Sequence, residues 1–97
     1  MIKTWPFDQD ENAAAITTRQ VLENGFPILH AVHYSDDHSW AFTFGTTNDV
    51  DDGVVVCMIH PVDLDPTLEL IADLEPGWVA FREAVGKPWE CYEDDEM

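Results

Sequence analysis

Basic residues are what this chain has least of. Four Lys and Arg stand against 20 Asp and Glu in 97 residues, a formal net charge of −16 at pH 7. Affinity for DNA, RNA and anionic membranes is built from Lys and Arg that release counterions from phosphate, so neither nucleic acid nor a membrane is an expected partner. Serine is nearly as scarce. Ser35 and Ser39 are the only two, neither lies in a Gly-x-Ser-x-Gly turn, and His38 beside Ser39 is a neighbour in a loop and not a dyad. Two cysteines, Cys57 and Cys91, have none of the paired spacings of a zinc site or a disulfide framework. Cys57 lies in an apolar run, where a thiol is expected to be buried and inert. The five glycines are scattered at turns, which leaves no phosphate-cradling loop. No stretch approaches the ~20 apolar residues of a membrane span, and no apolar run of the secretory kind follows Met-Ile-Lys-Thr-Trp-Pro, so neither membrane insertion nor secretion is expected. These absences lead to the expectation of a cytoplasmic, non-enzymatic protein that needs no cofactor.

What is present supports a folded core. Hydrophobic residues make up 45% of the chain, with four Trp, five Phe and two Tyr, unlike an acidic disordered segment. The length suits one domain over 1–97. The acids are unevenly placed: residues 1–47 carry six against two bases, and residues 48–97 carry fourteen against two. The run Glu93-Asp94-Asp95-Glu96 is expected to begin a solvated, mobile tail over 93–97.

Spacing predicts an α+β fold: an antiparallel sheet of three or four strands with two or three short helices packed on one face. Thr17 and Gln20 have capping-box spacing ahead of a short helix over 18–24, which Gly25 and Pro27 stop. Residues 28–34 and 40–46 are rich in β-branched and aromatic side chains and predict a hairpin, with Ser35 opposite Trp40. Leu29, Ala31, His33, Trp40, Phe42 and Phe44 then share one face, the expected core, and Ile28, His30, Val32, Tyr34, Ala41 and Thr43 share the other. The run Val54 to Ile59 is apolar on both faces, as a central strand would be. Asp65 caps a helix with Pro66 at its first position, and Leu68, Ile71 and Leu74 form its buried stripe. Trp78, Phe81 and Val85 at i, i+3 and i+7 predict another helix, ended by Gly86 and Pro88. Trp89 to Tyr92 offers a short edge strand.

The order Thr17-Thr18-Arg19-Gln20-Val21-Leu22-Glu23-Asn24-Gly25-Phe26-Pro27-Ile28-Leu29, an acidic hairpin loop, Phe44-Gly45-Thr46 and a later Asp65-Pro66-Thr67-Leu68 resembles a bacterial family of small domains of unknown function. Some of its members are grouped with the immunity proteins of polymorphic toxin systems. The resemblance spans residues 14–85. It implies an α+β bacterial domain with a binding role, and it brings no catalytic residues with it.

Four histidines raise the question of a metal. His30 and His33 point to opposite faces of an extended strand and cannot share an ion, so His30 with His60 is the pair to consider. The turn Asn48 to Gly53 fails as a calcium loop, because Val50 falls where an oxygen ligand is needed and no glutamate closes it. The acids Asp63, Asp65, Glu69, Asp73 and Glu75 cluster on and around one expected helix with no base among them. Glu69 and Asp73 form a like-charge i, i+4 pair there, and Asp73 and Glu75 oppose the helix dipole. Three functions follow as expectations. The first is an immunity-type interaction domain whose acidic surface binds a basic protein. The second is a metal- or small-ligand-binding domain with a site near His30 and His60. The third is a structural or regulatory domain that self-associates through aromatics such as Trp5 or Trp89.

Overall fold

A computed structural model describes residues 5, 7, 9–44 and 53–94. Its elements run β1 (Ala14–Thr18), α1 (Arg19–Glu23), β2 (His30–His33), β3 (Trp40–Thr43), β4 (Gly53–Cys57), α2 (Ile59–Leu64), a 3-10 helix (Pro66–Ile71), β5 (Trp78–Phe81) and β6 (Glu90–Glu93). The strands form one six-stranded sheet in the order β4-β1-β3-β2-β5-β6. Four neighbour pairs are antiparallel, and β1 with β3 is parallel. The class remains α+β, but the expected three- or four-stranded antiparallel sheet is overturned: the sheet is larger and mixed.

The expected hairpin is present with a different register. His33, not Ser35, lies opposite Trp40, and Tyr34 N–H donates to the Ser39 carbonyl at 2.9 Å, so the loop is Ser35–His38. Asp37 accepts from both the backbone N–H and the hydroxyl of Ser39, at 3.0 and 2.7 Å, drawing Ser39 into the closure, while His38 takes the left-handed φ of 61°. The pairing moves by two residues, an even number, so the residues of the two strands keep their expected faces, whereas Ile28, ahead of β2 and expected on the other face, joins the buried core cluster. Ala31, His33, Trp40, Phe42 and Phe44 are all buried.

Three other expectations fail for physical reasons. The segment Trp78–Phe81 is a strand between β2 and β6, not the start of a helix. Four residues rich in aromatic and β-branched types fit both periods, and pairing with Ala31 and Val32 decides between them. The Val54 to Ile59 run is not a central strand. Its first residues form edge strand β4, and Ile59 begins α2. Cys57 is accordingly half-buried at the edge and not sealed in the core. The third is the unforeseen strand β1, which occupies Ala14–Thr18. Thr17 therefore does not cap α1: its hydroxyl donates to the Phe42 carbonyl at 2.7 Å, and Thr18 is the cap, accepting from Val21 N–H at 3.4 Å. At the other end of α1, Gly25 takes φ +70° and the next residue, Phe26, returns its N–H to the Gln20 carbonyl at 3.1 Å.

Both helices that follow β4 cover the hairpin's core face. Met58, Val62, Leu68, Ile71 and Leu74 join Trp40, Phe42, Ala31 and Ala80 in one buried cluster. Side chains exactly three apart eclipse in a 3-10 helix, so Leu68 and Ile71 stack inward and Leu74 continues the line beyond its end. Phe7 closes the cluster with its ring edge-on to Trp40, centroids 5.1 Å apart. Burial of each such large apolar side chain is worth about 1.5–3 kcal/mol. The strand Glu90–Glu93 is the expected edge strand, so the acidic tail does not start at Glu93. Residues 95–97 and the Asn48–Asp52 part of the failed calcium loop lie outside the described residues. Among the described residues no helix is long and apolar enough to cross a membrane.

Candidate functional site

The helical layer carries the acids picked out from the sequence, and a single buried cation sorts them. Arg82 follows β5 directly and is 1% exposed. Its Nε and one terminal nitrogen donate to the Ile28 carbonyl at 3.1 and 2.8 Å, and the other terminal nitrogen donates to Thr67 Oγ1 at 3.0 Å. Asp65 completes the fork as its ion-pair partner. The Trp89 ring packs against the guanidinium, 4.3 Å from carbon to centroid. The guanidinium thus ties the lead-in to β2 to the start of the 3-10 helix through its hydrogen bonds, and reaches the approach to β6 through the Trp89 ring. Asp65 has a second duty, because its other carboxylate oxygen accepts from Thr67 N–H at 3.1 Å and caps the helix.

Of the five acids, Asp65 is thus committed to the interior, while Asp63, Glu69, Asp73 and Glu75 are exposed. None of those four is ion-paired with another described residue. The expected clash between Glu69 and Asp73 needs 3.6 residues per turn. The helix is 3-10 and ends at Ile71, so Asp73 sits in the turn beyond it and the two do not share a helical face.

Sequence reasoning missed two leucines set among these acids. Leu64 is 56% exposed beside Asp63, and Leu70 is 68% exposed beside Glu69. The signal was available for Leu70: it falls off the three-residue stripe of Leu68, Ile71 and Leu74 and must point outward. Leu64 also borders a groove of about 290 Å³ whose walls include Val21, Phe26, Ile28 and Val85. Arg82 was missed as well, although a base one residue past an apolar strand, in a half-chain with fourteen acids, is a strong hint of an internal ion pair.

The other candidates are not brought together. Ala31 and His33 face the helical layer, so His30 faces the opposite side of the sheet, whereas His60 is exposed on α2 within that layer. Burial without a charged partner lowers the His30 pKa from its ordinary value. His33 is held in the core by Nδ1 against the Leu74 carbonyl at 2.7 Å and by stacking on Trp40 at 4.2 Å between centroids. Among the described residues, no group of three or more His, Cys, Asp or Glu side chains is placed to hold one metal ion. Trp5 and Trp89 both pack against the core cluster.

Compared with known proteins, the chain matches no family model, no curated protein and no solved structure.

Proposed function

We propose that this is a non-enzymatic, cytoplasmic protein-binding domain of the immunity type, which uses the outer surface of α2 and the 3-10 helix to engage a basic partner. One observation carries this reading. Exposed Leu64 and Leu70 lie next to unneutralised Asp63 and Glu69, so apolar anchors and an acidic rim occupy one short stretch of chain. Apolar anchors in a desolvated centre supply affinity, and a charged rim supplies steering and discrimination. The net charge of −16 extends that steering beyond contact distance and repels acidic competitors. Arg82 and Asp65 hold this surface in place from beneath without lending it charge. The action is occlusion: the partner's working surface is covered and no bond is made or broken.

The test is affinity capture from the native lysate at low and high salt, followed by stopped-flow association with the captured protein. A stoichiometric basic partner released by salt, whose association slows when Glu69 and Asp73 are reversed to Lys and whose complex weakens in Leu70→Ala, supports the proposal. Unchanged association in the charge-reversed protein removes this surface from the interface.

A further inference from the structure

The two edges of the sheet differ in a way that the acidic helical surface does not explain. Edge strand β6 carries Glu90 and Glu93 and is followed by Asp94, charges of the kind that keep sheet edges from pairing. Edge strand β4 is Gly-Val-Val-Val-Cys, with no charge and no proline. Its backbone is also poised. Met58 N–H donates to the Ala13 carbonyl at 2.8 Å, and β1 pairs Ala15 with Val56 and Thr17 with Val54. This phase turns the N–H and C=O groups of Val54 and Val56 toward β1 and those of Gly53, Val55 and Cys57 outward. Among the described residues nothing bonds those outward groups.

The uncharged edge continues a neutral stripe on the sheet face away from the helices. Val55, Ile16, Ala41, Val32, Val79 and Tyr92 lie opposite one another across all six strands. Val55, at the open end of that row, is 70% exposed.

We propose that β4 is a self-pairing edge whose occupant is β4 of a second copy of this chain, joined antiparallel about a two-fold axis at Val55. The outward groups are self-complementary in that register: Val55 exchanges both bonds with its counterpart, and Gly53 does the same with Cys57 of the other copy. Charge selects the occupant. A basic partner is drawn to the exposed acids, not to a strand that has none. The β6 edge of another copy would bring Glu90 and Glu93 into the paired strands, whereas β4 with β4 brings no charge within them, Asp51 and Asp52 of each copy standing just before the strand in the sequence. Symmetric pairing closes at two copies, whereas β4 against β6 would propagate into a filament. Edge pairing buries less than the ~800 Å² per partner of a standard interface, so the dimer is transient. Each copy carries −16, so added salt strengthens it by screening their repulsion.

Sedimentation equilibrium of the full chain over a concentration series, at about 0.05 and 0.5 M salt, reads this directly. The expected mass rises from 11.0 kDa toward twice that value, at lower concentration in high salt. Val55→Pro removes the central outward donor but no β1 bond, so it is expected to abolish the dimer. Val55→Lys, which retains the N–H and places like charges across the axis, is expected to abolish it too and carries the test if the proline variant loses its circular dichroism. In a Cys57→Ser, Cys91→Ser background, Val55→Cys is expected to oxidise to a disulfide-linked dimer, because paired Cα atoms there lie about 5.5 Å apart. A chain that stays monomeric at both salts, or a dimer that both Val55 variants leave intact, overturns the proposal.

Discussion

Asp65 and Glu69 are four residues apart, equally charged, and put to opposite uses. The Asp65 carboxylate faces a guanidinium that is 1% exposed and caps a helix at the same time, so its charge is consumed inside the fold. Glu69 faces solvent next to an exposed leucine, and its charge belongs to whatever approaches. A count of acids treats the two alike. Their difference comes from one residue, Arg82, which selects the carboxylate it can reach through the pairing of β5 with β2. The lesson is that a cluster of like charges in sequence is not one surface until the cations that sit beneath it are known.

Several substitutions can break or sharpen this contrast. The largest effect is expected at the buried pair. Arg82→Ala leaves Asp65 without its partner and the Ile28 carbonyl without a donor, and should lower unfolding stability by about 3–5 kcal/mol in urea titration. Replacing Arg82 and Asp65 together with leucines should cost clearly less than the sum of the single changes, because no uncompensated charge is left. Additive losses would show that the two do not act as a pair. The leucines offer a parallel contrast at the next level. Leu68→Ala should cost about 2–5 kcal/mol as a core cavity, while Leu70→Ala, two residues on, should cost under about 0.5 kcal/mol and act on partner binding alone. Reversing Glu69 and Asp73 to Lys should leave stability within about 0.5 kcal/mol yet slow association by roughly tenfold or more at low salt. If this variant is strongly destabilised, the surface acids are doing structural work after all.

The smallest effect concerns His30 and the sheet face opposite the acids. Its pKa in the fold lies below the ordinary 6.5 because burial disfavours the charged form. The unfolded chain therefore takes up the proton first as pH falls. Stability from this group is complete above the ordinary value and is lost as pH drops through the window below it. Between about pH 7.5 and 5.5 the urea midpoint of the native protein should fall more than that of His30→Gln. Parallel curves would place His30 in a solvated setting.

Much of the hairpin was legible in the sequence because period-two alternation survives an even change of register. That is why Ala31, His33, Trp40 and Phe42 were assigned to the core while the pairing itself was off. The cap at Asp65 and the stripe of Leu68, Ile71 and Leu74 were legible for a similar reason: both depend on residues within a few positions of one another. The acids at Asp63, Asp65, Glu69, Asp73 and Glu75 were legible as a cluster, but their division into one internal and four external charges was not. Nor was the separation of His30 from His60 by the sheet, which depends on where α2 packs.

Local chemistry thus settled what the sequence could settle alone: the strong acidity, a core of aromatic and branched side chains, the cap at Asp65 and the face that each residue of β2 and β3 takes. These depend on bonds and sterics that span a few residues. Only the tertiary structure decided which apolar run is an edge and which is central, that β1 runs parallel to β3, that Trp78–Phe81 is a strand, and that Arg82 claims Asp65. Each of those is a choice among partners far apart in the chain. A four-residue apolar segment satisfies several such choices about equally until neighbouring strands compete for its backbone hydrogen bonds.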